Sequence, residues 1–432
     1  MQEKKLKLVD LVFIGMGGCI GAGIFSMLGV GIGLTGRSVC LAFILAQLFK
    51  MSQQTRVIVT SSMFSLSGGY YSQSALILNP MLTGASAINN IVGALSFSVF
   101  GISLASYTAL LIPALDPYQK LLSLFFMALF CVVAATGADL FSKVQNLLGI
   151  SKVVALGLFI VFGFMVANHS GFEGEPFVMN GGISFITAVA LMSFTCDGIP
   201  AVNYAPMCEN AKRDIPRAWI IASIACGSLY AMLGYVGSSI APYAEVANQN
   251  LGYLAQMVLP KALYIFFVIG GAMASLSTAL LGGLGGYSQM YTGIAQDGWL
   301  PKFFRSQKNC LIFMFAISAL PIVAGISLDN IVSMMMVPGM LLTFITDFRA
   351  MKMPEMFPEQ WPNNAFNLKA GTFKALMVVS MIASALTGYF SLTSLTPGLM
   401  IGTVVMTIAI YVYASYMIKS GKIDITSTTD LG

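Results

Sequence analysis

The sequence predicts an all-α protein that crosses a membrane many times, and three observations lead to this class. Of its 432 residues, 57% are hydrophobic and only 9% are charged, whereas an ordinary soluble domain carries about 25% charged residues. Uncharged apolar runs recur along the chain, each with about the 20 residues that an α-helix needs to cross a bilayer. Two of these runs are interrupted by glycine or proline near the middle. So few charges could not cover a soluble protein, and the interruptions predict more than passive spans.

Twelve transmembrane helices are predicted from the apolar runs and from the Gly, Pro and charge clusters that separate them. An even number of spans puts both termini on one side of the membrane. No change of composition marks a separate soluble domain, so residues 1–432 are predicted to form one transmembrane domain. The predicted helices cover about 10–34, 38–65, 82–112, 119–138, 144–166, 183–207, 216–240, 260–284, 309–327, 330–347, 372–393 and 398–418.

The distribution of Lys and Arg predicts which side carries the termini. Most of the 22 basic residues fall in the N-terminal segment and in the loops on its side, whereas only Arg37, Lys120 and Lys261 fall on the other side. Because short loops rich in Lys and Arg stay in the cytoplasm, we expect cytoplasmic N- and C-termini and a multi-pass protein of the cell (plasma) membrane. The basic residues are spread over many loops, which does not indicate a nucleic-acid partner, and lipid is the expected surrounding.

Motifs for catalysis, metal binding or conduction are absent from the sequence. The seven cysteines are scattered through apolar runs, and the one histidine, His169, cannot build a His-based metal or Ser-His site. No HExxH or GxSxG motif occurs, and no repeated pore loop or ring of charges marks a channel. We therefore expect neither an enzyme nor a cofactor.

Two predicted helices are interrupted at corresponding places, each being the first of a block of five. The first carries GMGGCIGAGIFSMLGVGIG, broken at residues 21–23, and the sixth carries MSFTCDGIPAVNYAP, broken at Gly198 and Pro200. Such a pair points to an inverted repeat and to the binding site of a transporter. The alternative is that the glycines only allow close helix packing, since Gly17 and Gly21 fit a GxxxG spacing.

An unwound helix has a specific binding chemistry. It frees backbone N–H and C=O groups, which lipid cannot satisfy. The half-helix after the break directs its positive dipole end and free N–H groups into the gap, which suits a carboxylate. The carbonyls before the break suit an ammonium group. An amino acid carries both groups on one carbon, so we expect the two breaks to bind a free amino acid.

Four motifs in order resemble those of the amino acid–polyamine–organocation transporter superfamily. They are IGAGIF in the first helix, SKVQNLLGISKVVALGLFIVFGF around the fifth, SFTCDG followed by ENAKRDIPRAW after the sixth, and AQDGWLPKFF after the eighth. The resemblance covers residues 8 to about 308. It implies a LeuT-like fold of twelve helices with a 5+5 inverted repeat, in which residues 8–166 and 183–347 are the repeats and 372–418 adds two helices. The type resembled is the sodium-independent amino acid permease.

The predicted substrate site combines both breaks. Asp197 at the sixth-helix break has three open roles: it could pair with a cationic substrate, carry a coupled proton, or cap the half-helix that follows. Ile199 stands where many family members have a bulky aromatic residue, and the small residues at the breaks favour a small or medium neutral amino acid. The site residues are Ile20, Gly21, Ala22, Gly23 and Ile24 in the first helix and Phe194, Thr195, Cys196, Asp197, Gly198 and Ile199 in the sixth.

Lys152 is predicted to lie within the fifth helix at membrane depth, which is costly unless it faces the bundle interior. The resemblance implies that its ammonium replaces the sodium ion of sodium-coupled relatives, beside the Gly17 carbonyl and the hydroxyls of Ser277 and Thr278. It either carries a coupled proton or stays charged in an exchanger. The alternative is a lysine that snorkels to the cytoplasmic face.

The second helix carries a polar patch of Lys50, Gln53, Gln54 and Arg56, which we interpret as a water-filled cytoplasmic vestibule or as a pairing site with an acid such as Asp139. In the simpler alternative, the helix reaches the cytoplasmic surface by Arg56. Charged loops that contain Glu209 and Asp214 allow a gating role, although their charges also serve to set topology.

The predicted function is secondary active transport of amino acids by alternating access, as proton-coupled symport or as exchange (antiport). The partners are a small-molecule amino acid and, in the symport case, a proton. Two alternatives remain open at this point: a transporter-like membrane sensor that binds an amino acid without moving it, and a polyamine or cationic amino acid antiporter.

Overall fold

The computed structural model describes residues 6–64, 69–135, 138–196, 202, 205, 208–421 and 423–424. Helices make up most of these residues. No β-strand occurs among them, and only an isolated bridge joins Leu6 to Cys208. The all-helical class that the sequence predicts is therefore confirmed for the described part of the chain.

The helices of the N-terminal part begin and end near the predicted positions, because apolar runs and their flanking signals set both. Asn79, for example, caps a helix: its side-chain oxygen accepts from the N–H of Leu82 at 2.9 Å, and Pro80 takes the first helical position. The elements are α1 (Leu8–Cys19), α2 (Ala22–Thr35), α3 (Val39–Met63), α4 (Gly69–Ile77), α5 (Pro80–Val92), α6 (Phe97–Leu111), α7 (Gln119–Ala135) and α8 (Ala138–Val166).

The C-terminal part continues the same pattern with shorter helices in its connections. Its elements are α9 (Gly181–Thr195), α10 (Ala211–Gly237), α11 (Tyr243–Val246), α12 (Leu251–Val258), α13 (Lys261–Phe266), α14 (Ala274–Gln296), α15 (Gln307–Ala324), α16 (Leu328–Ala350), α17 (Met353–Met356), α18 (Ala370–Thr393) and α19 (Pro397–Lys419). The predicted connector of 348–371 holds α17 and two short 3-10 turns.

Within the described residues, nine helical segments are long and apolar enough to cross a membrane. Three shorter apolar helices accompany them, at Leu8–Cys19, Ile150–Val166 and Gly181–Thr195. Many side chains on the outer surface of the bundle are large and apolar, as a lipid-facing surface requires. The chain is therefore a multi-pass helical membrane protein.

The eighth predicted helix differs most from expectation. The prediction of 260–284 stops in a glycine-rich stretch, but the structure continues the helix through α14 to Gln296. At Gly283 the helix needs a glycine, because a β-carbon would stand only 2.5 Å from Cε1 of Phe97. The same span also contains a π-helical segment, Phe267–Met273, that the apolar periodicity does not reveal.

The first predicted helix is interrupted, as the sequence indicated, but slightly earlier. The structure ends α1 at Cys19 and starts α2 at Ala22, so Ile20 and Gly21 form the break. Gly23, which the prediction placed in the break, already belongs to α2. In the sixth predicted helix, α9 ends at Thr195, with Cys196 as its C-cap.

The core sits where helices from distant parts of the sequence pack together. α2 packs against α9, and α3 packs against α10 and α9. The first-half helix α1 also packs against α10, while α18 packs against α16, α3 and α9. These contacts bring the end of α1, the start of α2 and the end of α9 into the middle of the bundle.

Candidate functional site

The two predicted breaks meet in the structure. A β-carbon at Gly23 would stand only 2.6 Å from Cα of Thr195, so the first turn of α2 lies directly against the end of α9. The Cys19 thiol donates to the carbonyl of Cys196 across the same contact, at 3.8 Å. Gly21 approaches the eighth span, where its β-carbon would stand 3.0 Å from that of Ala279. The glycines thus serve close packing and the break at once.

Backbone groups, rather than side chains, are the chemistry available at the first break. Gly21 is the N-cap of α2 and offers no side chain to the N–H groups of its first turn. Ile20 and Ile24 are fully buried in the apolar core. The Thr195 hydroxyl is engaged within α9, where it donates to the carbonyl of Met192 at 2.7 Å.

The predicted substrate-site residues at the sixth-helix break lie largely outside the described part of the chain. Asp197, Gly198 and Ile199 lie outside the described residues, and so does Pro200. The backbone of Ala22 opens α2, and Phe194 is half-buried against the core. The three roles of Asp197 therefore stay predictions.

Lys152 lies on α8 with its side chain directed to the broken helix. It is 4% exposed, and its ammonium donates to the carbonyl of Gly17, in the last turns of α1, at 3.3 Å. This burial does not fit the alternative in which the lysine snorkels to the membrane surface. Among the described residues, no carboxylate lies within ion-pair distance of Lys152.

The π-helical segment passes beside Lys152. The hydroxyl of the preceding residue, Ser151, donates to the carbonyl of Gly270 in that segment at 2.6 Å. Gly271 follows, where a β-carbon would stand 2.6 Å from that of Ala155 on α8. Single π turns in helices often occur at functional sites, because they shift a backbone group out of register. The adjacent glycines 270 and 271 are the one sequence signal for this feature.

The predicted eighth-helix hydroxyls lie one turn beyond the π segment. Thr278 is buried, and its hydroxyl lies 3.0 Å from the carbonyls of both Ala274 and Ser275 in its own helix. Ser277 is half-buried. Ser275 was not predicted, yet its hydroxyl is fully buried and has no partner within the described part of the chain.

Three buried thiols lie on the helices around the break. Their scattered positions in the sequence predicted only small apolar residues. Cys19 is buried on α1, Cys196 at the end of α9 and Cys226 on α10, and the Cys19 and Cys226 thiols are neighbours. Tyr230 lies one turn further along α10, with its hydroxyl buried and unpartnered within the described structure. The described His, Cys, Asp and Glu residues form no group of three with metal-binding geometry.

The polar patch of α3 is buried throughout. Lys50, Gln53, Gln54 and Arg56 are all below one-tenth exposed, and α3 continues beyond them to Met63. The Arg56 side chain is therefore enclosed by protein, which does not favour the alternative in which this helix reaches the surface at Arg56.

Arg56 pairs with Asp347 on α16 rather than with Asp139, whose side chain lies outside the described residues. Nε donates to the Asp347 carboxylate at 3.2 Å, and Nη2 donates to the Tyr70 hydroxyl at 3.2 Å. Ser380 on α18 donates to the other carboxylate oxygen. Side-chain exposure is 1% for Arg56 and 0% for Asp347. The pair thus ties α3 to α16 and α18, a link that sequence spacing could not indicate.

Two loops bond to the backbone of the broken helix or of the segment before it. The loop before α10 contacts the segment that precedes α1, where Glu209 donates its N–H to the carbonyl of Leu6 at 3.0 Å. The loop between α11 and α12 contacts α2, where Asn248 donates its N–H to the carbonyl of Gly29 at 2.8 Å. A β-carbon at Gly29 would overlap Gln249, 1.7 Å from its carbonyl oxygen, so this loop lies flat on α2.

The charges of the ENAKRDIPRAW loop are arranged locally. The Arg213 guanidinium donates to the neighbouring Asp214 carboxylate at 2.8 Å, and Asp214 is itself buried in the first turn of α10. Both residues lie in the first turn of α10, and their contact does not reach across the bundle. The predicted gating role of Glu209 and Asp214 stays a prediction.

Comparison with known proteins gives the family. The chain matches the family model described as amino acid permease over residues 6–351. Cationic amino acid transporter 9, chloroplastic, of Arabidopsis thaliana is 30% identical over 332 residues, which cover 70% of this chain and 57% of that protein. Branched-chain amino acid permease BcaP of Bacillus subtilis (strain 168) is 25% identical over 324 residues, covering 69% of this chain and 68% of that protein.

A relative with a different printed substrate is also similar. The methylthioribose transporter of Bacillus subtilis (strain 168) is 25% identical over 320 residues, covering 70% of this chain and 69% of that protein. The matched part of this chain spans little more than half the length of the Arabidopsis protein and about two thirds of the two Bacillus proteins. The family match itself runs through most of the chain, from the N-terminal segment to the end of α16. The protein belongs to the amino acid permease family.

Proposed function

We propose that this protein moves free amino acids across a membrane by secondary active transport. The observation that carries the proposal is the break between α1 and α2. The first turn of α2 has no side-chain cap and lies against the end of α9 in the middle of the bundle. Family membership supports the same conclusion, since relatives with amino acid permease names match over about 70% of this chain.

The substrate binds through its backbone groups. The N–H groups of the first turn of α2, which have no side-chain cap, donate hydrogen bonds to the substrate carboxylate, because a helix N-terminus is a ready anion site. The carbonyls at the end of α1 accept hydrogen bonds from the substrate ammonium group. Core residues such as Ile20, Ile24 and Cys196 surround this place and favour a small or medium neutral side chain. A cationic or polyamine substrate is the second candidate, since the similar Arabidopsis protein is named a cationic amino acid transporter and Asp197 comes two residues after the end of α9 in the sequence.

Lys152 couples transport to the state of the broken helix. Its hydrogen bond to Gly17 makes the ammonium the group that holds the end of α1, in the place where related transporters would hold a cation. Loss of that bond frees α1 from α8. Either a proton leaves and returns to the lysine in each cycle, or the lysine stays charged and the carrier exchanges one amino acid for another.

The proposed topology has twelve spans and a 5+5 inverted repeat of the LeuT-like type. In this topology, Gly23–Met63 holds two spans, the first of which continues Leu8–Cys19 across the break. The other eight long segments give one span each, and Ile150–Val166 and Gly181–Thr195 add the last two. Residues 8–166 and 183–347 form the repeats, and 372–418 adds two helices. With both termini cytoplasmic in the plasma membrane, Arg213, Lys302 and Lys352 lie inside the cell, in agreement with the positive-inside rule.

The test is uptake of labelled amino acids into liposomes that contain the purified full-length protein. Each run uses an inward proton gradient, preloaded internal amino acid, or neither. Lys152→Ala is compared with wild type, and Lys261→Ala, an exposed lysine at the start of α13, is the matched control. Uptake driven by the gradient and lost only in Lys152→Ala would identify a proton symporter.

Other outcomes separate the alternatives. Uptake that needs only preloaded amino acid would identify an exchanger, with Lys152 as a fixed charge. Amino acid binding without any uptake by folded protein would favour a membrane sensor. If folded protein neither binds nor transports any amino acid, the proposed substrate class is wrong.

A further inference from the structure

A groove of about 590 Å³ runs along the outer surface of α19, away from the break. Most of its lining residues lie on one face of α19 between Thr407 and Lys419. Met81 of α5 and Leu341 of α16 form its other walls. Its volume falls in the range of about 300–1,000 Å³ that is typical of small-molecule sites.

The groove lies on the lipid-facing surface. Ile408, Val412 and Tyr416 are each more than half exposed, although all three are large and apolar or aromatic. Such side chains contact hydrocarbon when the helix crosses a membrane. The occupant must therefore come from the bilayer.

The length of the groove matches one leaflet. Twelve residues separate Thr407 from Lys419, which gives about 18 Å at 1.5 Å per residue. Half of a hydrocarbon core of about 30 Å is about 15 Å. A single acyl chain that starts beside Lys419 therefore reaches the end of the groove near the bilayer midplane.

One end of the groove is polar and positively charged. Lys419 is the last residue of α19, with Tyr416 and Ser415 about one turn before it. Tyrosine favours the membrane–water interface, and serine supplies a hydrogen-bond donor. The lining residues include no acidic side chain.

Met81 is the second residue of α5, so the start of this 13-residue helix lies beside the groove. This helix end is already capped. Pro80 has no N–H, and the N–H groups of Leu82 and Thr83 donate to the side chain and the carbonyl of Asn79. Lys419 is therefore the group that gives the groove its charge.

We propose that this groove is a binding site for an anionic phospholipid of the leaflet on the Lys419 side. The acyl chain lies over Ile408 and Val412, and the head-group phosphate contacts the Lys419 ammonium. The glycerol ester region lies beside Ser415.

The site is placed to brace the neighbouring loop. On another face of α19, the Tyr413 hydroxyl donates to the carbonyl of Trp299 at 3.0 Å. The buried Trp299 indole donates to the Tyr71 hydroxyl at 2.9 Å, which donates to Asp297 at 2.9 Å. A lipid that fixes α19 therefore also stabilises the loop after α14.

The test uses full-length protein in nanodiscs of phosphatidylcholine with and without phosphatidylglycerol. Native mass spectrometry counts the lipids that the protein retains, and a thermal melt reports its stability. The variants are Lys419→Gln, which removes the charge, and Val412→Trp, which fills the groove. Lys308→Gln and Ile382→Trp are controls, because both residues are exposed and neither lines the groove.

We expect wild type to retain phosphatidylglycerol several-fold better than phosphatidylcholine and to melt higher when phosphatidylglycerol is present. Lys419→Gln abolishes the preference, Val412→Trp lowers retention of both lipids, and both controls behave like wild type. Equal retention of the two lipids by wild type and Lys419→Gln would overturn the proposal. So would a cross-linked dimer in which a second copy of this chain covers α19.

Discussion

Two buried cations in the same bundle are held in opposite ways. Arg56 on α3 has a carboxylate, Asp347, at 3.2 Å, and that carboxylate is held in turn by Ser380. Lys152 on α8 has one described partner, the Gly17 carbonyl at 3.3 Å. Both side chains are almost completely buried, at 1% and 4% exposed. The difference therefore lies in the partners and not in the depth.

The two sets of partners differ in what they hold together. A buried ion pair is strongly interdependent, since removal of one partner leaves the other charge unpaired in a medium of low dielectric constant. Arg56 and Asp347 accordingly form a fixed link between helices. Within the described structure, the Lys152 ammonium depends on one hydrogen bond to the carbonyl of Gly17, close to the end of α1. The proposed coupling role of Lys152 rests on this contact with the broken helix.

We expect the largest loss of thermal stability when the Arg56–Asp347 ion pair is broken. Asp347→Ala leaves the Arg56 guanidinium buried without a counter-charge, which costs about 3–5 kcal/mol in buried pairs. We expect a large fall in the thermal unfolding midpoint of the purified protein. Arg56→Met combined with Asp347→Leu removes both charges and should restore most of the stability.

The same melt on Lys152→Ala sharpens the contrast. No described carboxylate depends on Lys152, so we expect a much smaller change in the midpoint than for Asp347→Ala. An Asp347→Ala protein that melts with wild type, or a Lys152→Ala protein that melts as low as Asp347→Ala, would contradict the comparison.

We expect an intermediate loss of stability and of binding when the contact between α2 and α9 is overpacked. Gly23→Ala places a β-carbon 2.6 Å from the backbone of Thr195, which pushes α2 away from α9. Overpacking of this kind costs about 1–3 kcal/mol. We expect weaker amino acid binding, measured by the ligand-dependent shift of the melting curve.

Gly157→Ala on α8 is the matched control for this change. A β-carbon there meets nothing within 4 Å, and alanine favours a helix by roughly 1 kcal/mol over glycine. The control should melt at or above wild type and bind as well as wild type. Equal binding by Gly23→Ala and wild type would show that the contact of α2 with α9 does not shape the site.

The smallest effect concerns an exposed ion pair that resembles the Arg56 pair only in distance. Lys374 donates to Glu355 at 2.8 Å, but both side chains are exposed. The Lys374 hydrogen bond and its charge hold the pKa of the Glu355 carboxyl below its usual value. Because the ionised form is the one stabilised, any contribution is present at neutral pH and is lost as the pH falls through the lowered pKa.

Lys374→Gln therefore changes the melting temperature far less than Asp347→Ala, and salt removes what difference there is. Melts at neutral and acidic pH, compared between wild type and Lys374→Gln, measure it. A difference that grows as the pH falls would have the wrong sign for this pair.

Local sequence patterns predicted two features that the structure contains. The interruption of the first helix and the burial of Lys152 both followed from single stretches, because glycine and lysine are costly inside a spanning helix. The acid that pairs with Arg56 was missed. It lies 291 positions away, and only folding brings α3 and α16 together. The thiols of Cys19 and Cys226 were missed for the same reason.

The class of the protein, a helical, multi-pass membrane protein with a weakened first span, can be recognised from the amino-acid sequence alone. Run length, charge content and backbone satisfaction in lipid are local requirements, and a linear reading detects them. The packed helices were needed to show that Gly23 lies against Thr195, that Lys152 donates to Gly17, and that a π segment passes beside α8. These depend on the register between helices, which is set by how whole side-chain surfaces pack and not by any one stretch of residues.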